Sequence, residues 1–396
     1  MNRFTPGNTV ELLRSGKEFF PALIEAIDHA MVEVWLETYI FADDAVGRLV
    51  AAALIRAARR GAEVRVLVDG WGARHYMTRV LEDMMRRGGV RLMKYRPEIA
   101  PWQFRVNRMR RLHRKLCHVD REIAFVGGIN IIDDMNTPGH RPPRVDYAVR
   151  VRGPVVGSVV QTMQRLWALA ELVQFETSDV PLFPESIAVE PQGAQTAKFV
   201  IRDNLRYRGA IERTYLAAIR TARSEIIIAT AYFFPGVRFR HALIAAAGRG
   251  VRVTLILQAR VEYRLLRYAA QALYGQLLVA GVTIEEYHRS FLHAKVAVVD
   301  AQWATVGSSN IDPYSLLMAR EANIFIRDAQ FADQLRLELL NLIATGTHRV
   351  DPKRWIGRSM PAKAVAWLAY GVVRLGMGLM GYAGNDWFPG RPPRDE

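Results

Sequence analysis

The chain is short of several things. In 396 residues it has a single cysteine, Cys117. An internal disulfide is excluded, and the composition fits a reducing compartment. Acidic side chains are in deficit, with 39 Asp and Glu against 54 Lys and Arg, a net charge of +15. That balance favours anionic partners, whether nucleic acid, acidic lipid surfaces or phosphorylated small molecules. There is no Walker-type glycine loop ending in lysine and no low-complexity tract. The N-terminal stretch MNRFTPGNTVELLRSG has no apolar run behind basic residues, so a secretory signal is not expected. Half of the residues are hydrophobic and 23% charged, which excludes a disordered chain and allows two domains of ordinary size.

What the chain does have is a repeat. RLHRKLCHVDREIAFVGGIN (Arg111 to Asn130) and FLHAKVAVVDAQWATVGSSN (Phe291 to Asn310) share the spacing His-x-Lys-x4-Asp-x6-Gly-(Gly/Ser)-x-Asn. The flanks repeat as well. EVWLETYIF, a helical stretch closed by Arg-Gly, and EVRVLVDG match EIIIATAYFF, a second helix closed by Arg-Gly, and VRVTLILQ. Glycine after a helix is a C-cap signal. Strands alternating with helices imply an α/β fold of largely parallel or mixed sheets flanked by helices. Two similar halves imply a duplication with the site between them. The expected division is residues 1–176 as the first lobe, 177–197 as a linker rich in Pro, Ser and Gln, 198–350 as the second lobe, and 351–396 as a tail.

That tail holds a hydrophobic stretch, Ala362 to Ala383, of about the length that crosses a bilayer. Arg374 near its middle and Gly371, Gly376, Gly378 and Gly381 argue against a lone span. The stretch reads as an interfacial helix with Lys353, Arg354, Arg358, Lys363 and Arg374 toward lipid headgroups, or as a helical hairpin packed on the protein itself.

Side chains alternate along a strand. His113 and Lys115 therefore share a face, as do His293 and Lys295, while Asp120 and Asp300 fall on the opposite parity. Those aspartates belong to the catalytic motif but read as supports at the strand end. Gly128 and Ser308 allow close backbone approach, and Asn130 and Asn310 bring amide donors. Only together do the halves assemble two imidazoles, two ammonium groups and two amides around one anion, naturally a phosphodiester. Lysine and asparagine would neutralise its oxygens as charge builds. One imidazole would attack phosphorus and the other would move the proton of the alcohol, roles that suit a group of pKa near ~6.5. Each ring needs a partner to fix its tautomer. Glu321, after the second motif, and Asp146, after the first, are the candidates for orienting His293 and His113, in that order. A metal site is not expected: His113 and His118 face opposite ways and Cys117 is isolated. Cys117 reads as a small core residue.

The doubled motif resembles that of the phospholipase D superfamily. LETYIFADDAVG, RMRRLHRKLCHVDREIAFVGGIN, DYAVRVRGPVV, IIATAYFFPG and HAKVAVVDAQWATVGSSNIDPYSLLMAREANIFI resemble, more narrowly, bacterial cardiolipin synthases of the B type, from about Asn8 to the region of Trp355. The resemblance implies two α/β lobes with one site between them, a phosphohistidine intermediate, and no metal or other cofactor. It implies transfer of a phosphatidyl group from phosphatidylglycerol to a second phospholipid alcohol, with phosphatidylethanolamine as a further acceptor. Carried over, His113 is the nucleophile, His293 the acid/base, and Lys115, Lys295, Asn130 and Asn310 the phosphate holders. Gly128 departs from the serine of the wider superfamily, which Ser308 keeps. The implied partners are anionic phospholipids and a membrane surface, without nucleic acid, and the implied location is peripheral or monotopic on the cytoplasmic face. The cluster Arg105, Arg108, Arg110, Arg111 and Arg114 would gather headgroups.

Three other readings remain at this level. They are a nuclease with the same core, a phospholipid hydrolase with water as acceptor, and an inactive lipid-binding module. Two intact motifs argue against the last.

Overall fold

A computed structural model describes residues 3–96, 111–174, 180–182, 184–185, 187–203, 207–260, 264–312 and 319–377. Arg105, Arg108 and Arg110 lie outside the described residues.

The two halves run through the same order of strands. The first has β1 (Thr5–Arg14), β2 (Glu33–Thr38), β3 (Glu63–Asp69), β4 (Arg91–Tyr95), β5 (Arg111–Leu112), β6 (Lys115–Val119), β7 (Ile123–Gly127), β8 (Arg144–Val145) and β9 (Tyr147–Arg152). The second has β10 (Gln195–Arg202), β11 (Glu225–Thr230), β12 (Arg252–Gln258), β13 (Thr283–Tyr287), β14 (Phe291–Leu292), β15 (Lys295–Val299), β16 (Trp303–Gly307), β17 (Ala319–Arg327) and β18 (Thr347–Arg349).

Both halves join one sheet, ordered β18-β13-β12-β11-β15-β16-β17-β10-β1-β9-β7-β6-β2-β3-β4. Apart from β18, that order reads as a palindrome about the antiparallel β10–β1 pair, the signature of a pseudo-twofold axis. Parallel pairing is confined, along this path, to the wings β2–β3–β4 and β11–β12–β13. There the helices Ala45–Arg59 and Val237–Gly248 make crossovers, as parallel neighbours require. Of the largely parallel or mixed sheets expected from strand–helix alternation, the mixed arrangement is the one present. Past the wings every pairing along the path is antiparallel, and β6–β7 and β15–β16 are joined by tight turns, which can only reverse the chain.

One hydrophobic core runs through both halves, from Val10, Leu12 and Trp35 to Ile227, Phe331 and Leu335, and holds them together. The other face of the sheet is covered by a separate cluster in each half. Cys117 packs in the first of these, and burial pushes its thiol up, away from reactivity.

The motif aspartates sit where a strand ends, away from the histidines. Asp120 and Arg121 both take positive φ, 50° and 59°, and Asp300 and Ala301 take 52° and 49°. That is the mirror-image two-residue turn that joins twisted hairpin strands, and aspartate tolerates it better than most residues. From the turn, Asp120 accepts the backbone N–H groups of Met31, Val32 and Glu33, each at 2.8 Å. Asp300 accepts those of Arg223, Ser224 and Glu225 at 2.8, 2.8 and 2.9 Å. β6 and β15 each separate the aspartate from its lysine, about 16 Å at ~3.3 Å per residue. Asp120 and Asp300 are therefore corrected from catalytic residues to clamps on the entry of β2 and β11.

Burial alone would raise the Asp300 pKa, but its donors win and hold it below the usual value. Asp300→Ala should lower unfolding stability by about 1–3 kcal/mol, the scale of hydrogen bonds lost from a charged acceptor. A denaturant midpoint indistinguishable from that of the parent chain would contradict the clamp.

Candidate active site

Two short parallel pairings carry each motif into the opposite half. β5 lies along the start of β17, with Arg111 opposite Ala319 and Leu112 opposite Arg320. β14 lies along β8, with Phe291 opposite Arg144 and Leu292 opposite Val145. The His113 N–H then donates to the Arg320 carbonyl at 3.0 Å, and the His293 N–H to the Val145 carbonyl at 2.8 Å. The residue after each of those carbonyls is a carboxylate, Glu321 in one case and Asp146 in the other.

The consequence is a crossed arrangement. His293 Nδ1 lies 2.6 Å from Asp146 Oδ2 in an aligned hydrogen bond. His113 Nδ1 lies 2.9 Å from Glu321 Oε1 in a close ion-pair approach that is not lined up as a hydrogen bond. Sequence order had suggested Glu321 for His293 and Asp146 for His113, and the structure exchanges them. The physical reason is the stitching: the lead-in to each motif pairs with the carboxylate-bearing strand of the other half. Both carboxylates are fully buried, while the rings keep 19% and 15% of their surface open.

Two residues that sequence reasoning passed over hold the lead-ins in place. Asp69, at the end of β3, accepts the Leu112 N–H at 2.7 Å. Gln258, at the equivalent end of β12, accepts the Leu292 N–H at 2.8 Å. Their signal was available: each is a polar residue closing an apolar strand at the same place in the repeat.

The lysines converge beneath the rings. Lys115 Nζ donates to the His113 carbonyl at 2.6 Å. Lys295 Nζ donates to the His293 carbonyl and lies 2.9 Å from His293 Nδ1 and 3.9 Å from Asp146 Oδ2. Nδ1 can serve only one partner. With the carboxylate at 2.6 Å it carries the proton and donates to Asp146, which leaves Nε2 unprotonated.

Burial first, then the charge of Lys295, pushes Lys115 down to about 7, and burial, then the charge of Arg144, pushes Lys295 down to about 8, in each case against nearby carboxylates. His113 is lowered mainly by burial, against the pull of Glu321. His293 falls well below its ordinary value through burial and then the charges of Lys295, Arg144, Lys115 and His113. That cross-talk between halves marks a single pocket. Burial raises the Asp146 carboxyl, against Lys295 and Lys115. For Glu321, burial pulls upward too, but His113, Arg202 and Lys115 outweigh it and hold the carboxyl below its usual range.

Asn130 and Asn310 stand three residues past the ends of β7 and β16. The Asn130 side-chain carbonyl accepts the Ile40 N–H at 3.1 Å, and that of Asn310 accepts the Thr230 hydroxyl at 3.3 Å. These bonds hold the oxygen end of each amide.

Gly128 and Ser308, assigned to substrate at sequence level, do something else. A Cβ on Gly128 would stand 2.3 Å from Asp146 Oδ1, so glycine is what lets that carboxylate in. Ser308 is fully buried, and its hydroxyl donates to Glu321 Oε2. The two positions are corrected from substrate contacts to supports of the two carboxylates. Arg114, expected among headgroup-binding arginines, is buried and pairs with Glu37 at 2.8 Å. Arg111 is half-buried, with its guanidinium 5.6 Å from the centre of the exposed Trp71 ring. Among the described residues no three or more His, Cys, Asp or Glu side chains are arranged to hold a metal ion.

The profile of the family described as "Cardiolipin synthase, PLD-like domain" matches residues 23–139 and 215–343. Cardiolipin synthase B of Escherichia coli K12 is 38% identical over 98% of this chain and 92% of its own length. Cardiolipin synthase A of Erwinia tasmaniensis is 30% identical over 92% of this chain and 75% of its own. Among solved structures, a phosphatidylserine synthase of Haemophilus influenzae superposes with a TM-score of 0.66 over 93% of this chain and 94% of that one. At 14% identity, that likeness speaks for the fold.

Gly128→Ala should push Asp146 off His293 and cut turnover by about 100-fold or more, the scale of a lost acid–base group. Ser308→Ala, which adds no atoms, should cost less and leave His293 untouched. Equal activity of Gly128→Ala and the parent chain in steady-state assays would contradict this reading of the glycine.

Proposed function

The chain belongs to the cardiolipin synthase family of the phospholipase D superfamily, and on that footing we propose a two-step phosphatidyl transfer between phospholipids. It is a cardiolipin synthase, a phosphatidyltransferase acting on phospholipids. The donor is phosphatidylglycerol. His113 Nε2 attacks phosphorus, and the bond from phosphorus to the headgroup glycerol oxygen breaks as His293 hands that oxygen a proton. The phosphatidyl group now rests on His113. The hydroxyl of a second phospholipid then attacks phosphorus, His293 takes its proton back, and the bond from phosphorus to nitrogen breaks. With phosphatidylglycerol as acceptor the products are cardiolipin and glycerol. Phosphatidylethanolamine has no free hydroxyl and could enter only as a donor, with ethanolamine leaving in place of glycerol and phosphatidylglycerol as the acceptor.

The observation that carries this reading is the meeting of His113 and Lys115 with His293 and Lys295 through the crossed carboxylates. Lys115, Lys295 and the two amides would hold the phosphate oxygens and stabilise the charge that builds on them. The lowered histidine pKa values favour a neutral nucleophile at His113. His293 must carry a proton in the first step, and a phosphodiester anion between the rings favours protonation by opposing the lysine and arginine charges. Exchange of one phosphodiester alcohol for another is nearly balanced in free energy, so no nucleotide is consumed. Among the described residues no helix is long and apolar enough to cross a membrane, and a peripheral enzyme on the cytoplasmic face is the location proposed.

The test is purified protein with labelled phosphatidylglycerol in mixed micelles, with and without phosphatidylethanolamine. Labelled cardiolipin should form, and His113→Ala and His293→Ala should each abolish it without unfolding the chain. Phosphatidic acid as the sole product would replace transfer by hydrolysis. Substantial turnover in either variant would end the two-histidine route.

A further inference from the structure

The helix Met360–Met377 has two faces with opposite fates. Ala366, Ala369 and Val373 are buried, and Ala369 and Val373 form a small core with Phe234 and Ala269 against which Leu266 and Tyr370 pack. About a third of a turn around the helix, Val365, Leu368, Val372 and Leu375 are 50–71% exposed. They follow one another at helical spacing, so they make one stripe. Lys363, the exposed Trp367, and Arg374 fall along the flank between the two faces.

The surrounding charge has one sign. From Pro352 to Asn385 the sequence holds Lys353, Arg354, Arg358, Lys363 and Arg374 and no Asp or Glu. An apolar stripe rimmed by cations, with a tryptophan at the boundary, matches the layering of an anionic bilayer surface. The helix is too polar to span, as Arg374 requires.

Its place ties it to the site. The Tyr370 ring stands 5.3 Å from that of Phe234. The Phe234 N–H donates to the Ile311 carbonyl at 2.6 Å, and Ile311 follows Asn310. The stripe is thus carried beside the pocket.

We propose that this helix lies in the plane of an anionic phospholipid surface, with Val365, Leu368, Val372 and Leu375 among the acyl chains. Lys363, Trp367 and Arg374 would then sit at headgroup level and hold the mouth of the site against the membrane. The proposal rests on the phospholipid reading of that site. It gives the positive charge of the tail a use that catalysis does not.

The experiment takes the full chain and the double variant Leu368→Glu/Val372→Glu. Both are mixed with phosphatidylcholine vesicles that contain or lack phosphatidylglycerol, and the sedimented fraction is measured. The parent chain should prefer the anionic vesicles and release with salt. The double variant should bind about tenfold more weakly or worse, with an unchanged melting curve. It should also keep the parent rate on a short-chain phosphatidylglycerol dispersed as monomers.

Lys353→Gln/Lys363→Gln leaves the stripe intact and should weaken vesicle binding several-fold, which keeps the test decisive if the glutamates disturb folding. Parent-like vesicle binding by the glutamate variant would overturn the proposal. So would a parent dimer that the glutamates split while vesicle binding persists, because a second copy would then own the stripe. Vesicle binding lost as expected, but no turnover of the monomeric substrate by either chain, would instead strike the catalytic reading and leave the docking surface standing.

Discussion

The structure depends on an exchange: each half of the chain supplies the carboxylate that orients the histidine of the other. The exchange is made by backbone hydrogen bonds before any side chain acts. His113 and His293 donate their N–H groups to the carbonyls of Arg320 and Val145, so the partner carboxylates one residue further on have little freedom to be elsewhere. Neither half can form half of this site alone. A single lobe would expose an imidazole without its tautomer-fixing partner. The shared core from Val10 to Leu335 is what holds the two lobes close enough for the exchange.

Duplication has not produced two equal halves. Asp146 is short, and it is admitted by Gly128 and steadied by the Tyr147 N–H at 2.9 Å. Glu321 is longer and is held by the Ser308 hydroxyl. One carboxylate makes an aligned hydrogen bond to its ring, and the other makes an ion-pair approach. The surroundings follow suit: burial and four neighbouring positive groups depress His293, whereas Glu321 partly restores His113. An unequal pair of histidines is what a reaction with separate nucleophile and acid/base roles needs.

Much of this was legible before any coordinates. The repeat spacing located the histidines, lysines and asparagines, and strand parity already set Asp120 and Asp300 apart from the reacting face. The Arg-Gly helix ends stand where expected, with Gly61 and Gly250 at positive φ. What escaped were facts of pairing between distant segments. Nothing local to Asp146 or Glu321 says which ring it meets, because that is decided by β8 and β17 receiving strands from the other half. Alternation of strands and helices left parallel and mixed sheets both open, because it describes only the wings. Gly128 looked like a missing hydroxyl because its reason, the volume taken by Asp146, lies eighteen residues on. Asp69 and Gln258 were passed over because a single polar residue closing a strand is common, and only their shared place in the two halves distinguishes them.

The exchange can be read directly from the nitrogen resonances of the two rings. In chain labelled with 15N-histidine, Asp146→Asn should move the ring signals of His293 and leave those of His113 nearly in place, and Glu321→Gln should do the reverse. The contrary pattern, each substitution shifting the histidine of its own half, would contradict the crossed site and everything argued from it.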